Sequence, residues 1–317
     1  MPDSDKSKKT KVNGKTSGAK VRATATKKRP LSIKGTLVAL GGGDDDGLLL
    51  LIKNHLCTVD SHIEVITTAT REPTRSGKAY VKAFKELGCG NADYLPIDET
   101  HPADDPKYLK RLERATVVFF TGGDQMRLST YLTGTEFLKI LQDKLQKDKD
   151  FVVAGTSAGA CAMSNMMIYE GYGRETLLKD EIKITGGLGF VKNLFIDTHF
   201  TERGRFGRLA QAVARHPTCL GVGLGEETGV MVSNGNKIQV FGSGNVTIMD
   251  GSAIKYSNLD EVDTGEPIAV EHLIVHFLPQ GHEFEIEHHS YKARLKGVRV
   301  TEDGIAAPSR EEEVEQE

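Results

Sequence analysis

The chain has 317 residues, 38% hydrophobic and 27% charged, with no Trp and a formal net charge of −3. That length suffices for one large or two small domains with a full core, and no apolar run is long enough to cross a bilayer. The N-terminus lacks the apolar segment of a secretory signal. The four cysteines, Cys57, Cys89, Cys161 and Cys219, are too scattered for a disulfide framework or a zinc site. Reduced thiols and the absence of a leader point to a cytoplasmic protein, and no metal or cofactor is expected.

Charge is unevenly spread. Residues 1–30 hold 10 of the 41 basic and 2 of the 44 acidic residues, leaving 31 basic against 42 acidic in the remainder. The first 34 residues have no hydrophobic period and read as a solvated, disordered basic tail. The acidic remainder does not predict nucleic-acid binding.

Order begins at Gly35–Leu40, a short apolar strand, followed by Gly41-Gly42-Gly43-Asp44-Asp45-Asp46-Gly47 and a Leu-rich helix to about Leu56. The glycines invite a dinucleotide-binding reading. The third glycine of that spacing would fall at Asp46, however, and three aspartates would repel a pyrophosphate. Acidic charge at a helix start is the preferred reading. Ile63–Ala69 is a second buried strand, and Ser76 to Leu87 a helix. Ala92–Ile97 is a third strand, Pro106–Arg114 a helix, and Thr116–Phe120 a β-branched and aromatic strand. The latter runs into Thr121-Gly122-Gly123-Asp124-Gln125 and a helical stretch to about Lys147. Strands and helices alternating at this spacing imply βαβ units, a parallel sheet and a site off the carboxyl ends of the strands.

The apolar run Phe151–Ala154 leads into Gly155-Thr156-Ser157-Ala158-Gly159-Ala160 and then a helical start. Strand, Gly-x-Ser-x-Gly turn and helix together describe a nucleophile elbow, in which a sharp turn pushes the serine hydroxyl out of the backbone. A serine nucleophile needs a base within hydrogen-bond reach and an acid that orients the base. Among ten histidines, His199 follows the apolar end Leu194–Ile196 and opens an Arg-rich loop. The polar C-terminal His272, His276, His282, His288 and His289 are alternatives. The orienting acid is Glu226, Glu227 or Asp197; Glu226 directly follows the glycine-rich strand Cys219–Gly225. Backbone N–H groups of Ala158 and of Gly122 or Gly123 are candidate oxyanion donors. Arg203, Arg205 and Arg208 offer guanidinium forks suited to carboxylates, hence to an acidic substrate.

A helix precedes Cys219 and ends near Arg215. Gly229 to Asp250 reads as a hairpin with a turn at Asn234-Gly235. Ile254 to Val270 reads as a polar connection, and Leu273–Leu278 and Phe284–Ile286 as edge strands. Residues from 303 are polar, end in an acidic run, and read as a disordered tail. The catalytic α/β domain is therefore expected over 35–302.

Several separated motifs occur in one order: Thr121–Gln125, Gly155–Ala160, Asp197-x-His199-Phe200 with Arg203-x-Arg205-x-x-Arg208, and Gly225-Glu226. Together they resemble the cyanophycinase family, serine exopeptidases related to alpha-aspartyl dipeptidases, from about residue 35 to 290. The resemblance implies an α/β three-layer sandwich similar to class I glutamine amidotransferase domains, with a mostly parallel central sheet and a β-rich C-terminal extension. It implies Ser157 as nucleophile, His199 as base and Glu226 as acid, and substrate contacts from Gln125, Asp197, Arg203, Arg205 and Arg208; of the candidate oxyanion donors, Gly123 and Ala158 are the expected pair. It further implies homodimers, and cleavage of cyanophycin, a polyaspartate with arginine on each side chain, to beta-Asp-Arg dipeptides. The family commonly has Gln where this chain has Thr198, so an amide at that substrate-binding position is missing. Other aspartyl or isoaspartyl peptides are the alternative substrates, and a catalytically inactive binding protein of the same fold is the alternative role.

Overall fold

The computed structural model describes residues 33–43, 46–58, 60–233, 237–286, 290–292, 300–301 and 304–305. Residues 1–32 and 306–317, Asp44, Asp45 and the Asn234-Gly235 turn lie outside the described residues, and with them most of both expected tails.

The N-terminal half alternates strand and helix as its sequence pattern predicts. It runs β1 (Thr36–Leu40), α1 (Asp46–Leu56), β2 (His62–Ile66), α2 (Pro73–Glu86), β3 (Asn91–Leu95), α3 (Pro106–Arg114) and β4 (Val117–Phe120), then α4 (Gln125–Leu132), α5 (Glu136–Lys147) and β5 (Val152–Thr156). These five strands are parallel in the order β1-β5-β4-β2-β3. Val117, Val118, Phe119 and Phe120 are all buried, as are all five residues of β5, because helices cover both faces of such a sheet. Val118, Phe120 and Val153 face one apolar cluster with α5, whereas Val117, Phe119 and Val152 face another with Leu49, Ile52 and Phe84.

Two departures from the sequence reading have local causes. The helix expected from Ser76 starts at Pro73, whose fixed φ suits the first turn. The single helix expected through Lys147 is two. Thr133 leaves α4 in an extended conformation, and Thr135 caps α5 by accepting from the Leu138 N–H at 3.2 Å.

After β5 comes the single turn α6 (Ala158–Cys161), then β6 (Met166–Glu170), a 3-10 turn at Gly173–Leu177, β7 (Lys183–Gly186), β8 (Leu194–Asp197), α7 (Phe206–Arg215) and β9 (Leu220–Leu224). Strands β10 (Thr228–Ser233), β11 (Lys237–Gly242), β12 (Asn245–Asp250), β13 (Tyr256–Ser257), β14 (Val270–Glu271), β15 (Ile274–Pro279), β16 (Glu283–Glu285) and β17 (Ser290–Lys292) follow. The segment read as a polar connection thus contains the β13–β14 ribbon, and the β6–β7 hairpin is an addition to the expected elements.

β10, β11, β16 and β17 extend the parallel sheet antiparallel from β1, giving nine strands. β12 leaves that sheet. It joins a second, four-stranded sheet ordered β15-β12-β9-β8, in which β8 and β9 run parallel. The mixed α/β architecture with a largely parallel central sheet and a strand-rich C-terminal part agrees with the expectation. The separate second sheet is the feature that positions the site.

Candidate active site

β5 lies between β1 and β4 and is followed directly by Ser157, which has φ 52° and ψ −115°. A non-glycine residue in that region is strained and is held there only by its surroundings. Its N–H donates to the Leu40 carbonyl at 3.0 Å, and α6 begins at the next residue. The turn is tight enough that a Cβ at Gly159 would lie 2.4 Å from the Phe120 carbonyl oxygen. The half-buried Ser157 thus stands at the carboxyl edge of the parallel sheet, as an elbow serine does.

The base and acid come from the second sheet. β8 delivers His199 two residues after its end, and its parallel neighbour β9 delivers Glu226 two residues after its own. Ser157 Oγ lies 2.8 Å from His199 Nε2, and His199 Nδ1 lies 2.6 Å from Glu226 Oε1. An ionised carboxylate only accepts, so Nδ1 carries the proton and Nε2 is free to accept from the Ser157 hydroxyl. Of the three acids open from sequence, the geometry brings Glu226 to the imidazole. Glu227 turns outward and accepts from the Ser243 hydroxyl at 3.3 Å.

The Gly41–Gly43 loop wraps this pair. The Gly41 carbonyl accepts the His199 N–H, and the Gly42 carbonyl accepts the Glu227 N–H, both at 2.9 Å. Gly42 has φ +97°, and a Cβ there would sit 2.4 Å from His199 Cε1. Each of the three lacks room for a side chain: the Gly225 backbone crowds Gly41, the imidazole crowds Gly42 and the Glu226 side chain crowds Gly43. Three consecutive glycines after a strand were the signal for this, but a sequence cannot show what approaches them.

Asp197, expected at the substrate, points into the protein. It is 1% exposed and accepts from Arg208 Nε at 2.6 Å, from Arg208 Nη2, and from Arg205 Nη1 at 3.3 Å. Arg208 is also 1% exposed, and its fork matches the carboxylate in two parallel bonds. Burial alone would lower the Arg208 pKa, but the bonded Asp197 charge outweighs it and raises it. Arg205 is shifted the other way, because burial, with Arg208 beside it, outweighs the attraction of Asp197. Thr198 is buried too, its hydroxyl 3.3 Å from the Cys161 sulfur. Burial, then the Asp197 charge, pushes the Cys161 thiol up, so it stays neutral and one helical turn behind the serine.

Asp197, Thr198 and Arg208 are thus each only 1% exposed in this structure. The physical reason is mutual neutralisation, which lets charged groups be buried together. Arg203 is exposed. Gln125 opens α4 and donates its amide to the Ile168 carbonyl at 3.2 Å. The Gly122-Gly123 turn passes beside the serine, since a Cβ on Gly122 would lie 3.4 Å from Ser157 Cβ. Among the described residues the N–H groups of Gly122, Gly123 and Ala158 make no backbone hydrogen bond. No group of three or more metal-ligating side chains occurs among the described residues, and no described helix is long and apolar enough to cross a membrane.

Comparison with known proteins gives a consistent assignment. The model of peptidase family S51 matches residues 37–240. The cyanophycinase of Thermosynechococcus vestitus is 34% identical over 260 residues, covering 81% of this chain and 80% of that protein. The cyanophycinase of Geminocystis herdmanii is 33% identical over 267 residues, covering 83% and 98%. A peptidase from an acI-B1 actinobacterium, of known crystal structure, has the same fold with a TM-score of 0.58 at 20% identity, over 81% of this chain and 98% of that one. With relatives sharing a third of their residues over four-fifths of the chain, and a family model reaching from β1 into β11, this protein belongs to peptidase family S51 and is a serine-type peptidase.

Proposed function

We propose that this protein is a cyanophycinase, hydrolysing cyanophycin to beta-Asp-Arg dipeptides, with Ser157 as nucleophile, His199 as general base and Glu226 as the acid that orients it. The observation that carries the residue roles is the unbroken chain of hydrogen bonds from Ser157 through His199 to Glu226, 2.8 and 2.6 Å long. The substrate follows from the cyanophycinases to which the chain is similar.

In this reading Ser157 Oγ attacks the scissile backbone carbonyl while its proton passes to His199 Nε2. Glu226 holds the imidazole in the Nδ1–H tautomer and stabilises the imidazolium that forms. The oxyanion of the tetrahedral intermediate takes hydrogen bonds from the N–H groups of Ala158 and Gly123. His199 then gives its proton to the leaving amine. A water, deprotonated by His199, attacks the acyl-enzyme and releases the carboxylate product with Ser157 restored. Exposed Arg203 and the turn at Gln125 are the site residues proposed to meet substrate at the surface. A cytoplasmic homodimer is part of the same reading, and the four free cysteines fit a reducing compartment.

Thr198 favours a second reading. A threonine has no side-chain amide to lend, and its hydroxyl is turned to Cys161, so shorter aspartyl or isoaspartyl peptides become candidates. Incubation with purified cyanophycin, against Asp-Xaa and isoAsp-Xaa peptides, separates the two by product analysis. Release of beta-Asp-Arg by the wild type and not by Ser157→Ala supports the first reading. Turnover of the short peptides alone replaces it with the second, and undiminished cleavage by Ser157→Ala removes both.

A further inference from the structure

α2 has two unlike sides. Gly77, Tyr80 and Phe84 turn inward, where the Tyr80 and Phe84 rings meet Phe119 at centroid distances of 5.0 and 5.7 Å. Lys78, Lys82 and Lys85 are exposed and recur at the i, i+4, i+7 spacing, so they line one stripe of the helix. Beside α2 lies β3, the terminal strand of the nine-stranded sheet, whose outer edge no described strand covers. Between helix and strand runs an open groove of about 420 Å³, lined by the three lysines with Val81 and Tyr94. A Cβ on Gly77 would lie 2.4 Å from the Tyr94 ring, so the helix backbone packs directly on that ring and fixes it in the groove wall.

The charge of the groove is mixed but mainly positive. Lys82 pairs with Glu86 at 3.4 Å, with the side chains 76% and 64% exposed, so water screens the pair and it opens at little cost. Asp93 is met by Arg111 at 3.1 Å. Among the described residues Lys78 and Lys85 take part in no ion pair. Cyanophycin complements this set. With the aspartate β-carboxyl joined to the arginine amine, each unit keeps one free arginine carboxylate and one guanidinium. Ammonium groups suit the carboxylates, and the Tyr94 ring and Glu86 suit a guanidinium.

The groove also begins where a chain leaving the active site would arrive. The loop between β2 and α2 supports the turn beside Ser157: the Ala69 carbonyl accepts the Asp124 N–H at 2.9 Å, and the Thr68 carbonyl accepts from Arg127 Nε at 2.8 Å. α2 starts from that loop, at the carboxyl edge of the sheet. Three strand steps of about 4.8 Å along β5-β4-β2-β3, then the helical rise of about 1.5 Å per residue from Pro73 to Lys78, put the near end of the groove about 20 Å from Ser157 along the surface. About six extended residues span that path at about 3.3 Å each. We propose that the α2–β3 groove is a second, non-catalytic binding site for cyanophycin, which holds the arginine carboxylates of the polymer on Lys78, Lys82 and Lys85 while its end lies at Ser157. The proposal rests on the reading of the protein as a cyanophycinase. Two contacts on one chain reinforce each other through effective concentration, so the groove favours long chains and does nothing for chains too short to reach it.

Chain length supplies the test. Binding to surface-coupled cyanophycin is measured for Ser157→Ala, with and without the triple change Lys78→Glu, Lys82→Glu and Lys85→Glu. The same triple change in the active enzyme is assayed for kcat and KM on cyanophycin and on a three-unit oligomer of beta-Asp-Arg. The lysine variant is expected to bind the polymer about tenfold more weakly and to raise its KM by a similar factor, as three exposed ion pairs would supply. Its kcat and its KM on the oligomer stay at wild-type values, and salt at about 0.5 M narrows the difference on the polymer. Undiminished polymer binding by the lysine variant overturns the proposal. An equal rise in KM on the oligomer also overturns it, since the effect then lies at the active site. Lysine-dependent binding of an RNA oligonucleotide as strong as that of cyanophycin overturns it too, making the groove a general anion surface. If the glutamate set does not fold, Lys78→Gln, Lys82→Gln and Lys85→Gln together decide by the same readings. A wild type that cleaves neither substrate removes the cyanophycinase reading. Lysine-dependent polymer binding by that protein still supports the groove, and its absence overturns both.

Discussion

Ser157 Oγ and His199 Nε2 stand 2.8 Å apart although they hang from different sheets, and each sits on a backbone with positive φ, 52° and 44°. Two strained residues facing one another imply that the surrounding packing supports the contact. Ser157 is pressed out by the elbow turn, and His199 is brought to it by the second sheet and the glycine loop.

Glu226 is the more open partner of the His199–Glu226 pair, its side chain being 38% exposed against 11% for the imidazole. Water can replace part of its charge stabilisation but not its choice of tautomer. Glu226→Gln is expected to lower kcat by about 100- to 10,000-fold with little change in KM, measured by steady-state kinetics on cyanophycin. A loss smaller than tenfold would assign the orienting role elsewhere.

Gly42 is the residue of the glycine loop that packs directly against the His199 ring. In Gly42→Ala the new Cβ meets His199 Cε1 at 2.4 Å on a backbone with φ +97°. The imidazole must shift, and the backbone is strained besides. Activity should fall by about 100-fold for a stability loss of about 1–3 kcal/mol, read from kcat/KM and denaturant unfolding. Equal, severe losses in both would mean that the loop serves folding more than the site.

Arg208 neutralises Asp197 in the interior. Arg208→Met keeps most of the volume but leaves that carboxylate with the Thr198 N–H at 2.9 Å and the longer Arg205 contact of 3.3 Å. Breaking one side of a buried pair costs about 3–5 kcal/mol, and Arg205 offsets part of it, so a loss of about 2–4 kcal/mol is expected in urea unfolding. A neutral result would show that water reaches the pair.

Asp98 predicts an acid-sensitive increment of stability remote from the site. Burial pushes its carboxyl up, but hydrogen bonds from His101 and Thr100 outweigh burial and hold it down at about 2. A depressed carboxylate stabilises the fold above its ordinary value near 3.8 and loses that contribution as pH falls through about 2. Asp98→Ala should therefore lower Tm by about 2 °C or more at pH 7, and the gap to wild type should close toward pH 2. A gap that stays constant from pH 7 to 2 would exclude the hydrogen-bonded carboxylate as its source.

Much of the catalytic segment could be read along the chain. The elbow is a local object, in which apolar strand residues, glycines flanking Ser157 and a helical start constrain one another within ten positions. α3 was legible for a similar reason, since Asp105 and Pro106 mark its start and its Lys107 N–H is capped by Asp105 at 2.8 Å. The break between α4 and α5 was not, because Gly134 and Thr135 stop one helix and cap another inside a stretch whose apolar period hardly falters.

By itself the sequence determined the alternation of strands and helices, the elbow at Ser157 and the short set of residues available as base, acid and anion ligand. These depend on periodicity and turn chemistry, which act over a few residues. Only the tertiary structure decided that β8 and β9 form part of a second sheet, that Glu226 rather than Glu227 meets His199, and that Gly42 yields its side-chain space to an imidazole. It likewise decided that Asp197 and Arg208 face inward. A guanidinium near a helix start is equally suited to solvent, to a substrate or to a buried partner, and the choice rests on whether a carboxylate eleven residues away is carried to it by the packing of β8 against α7.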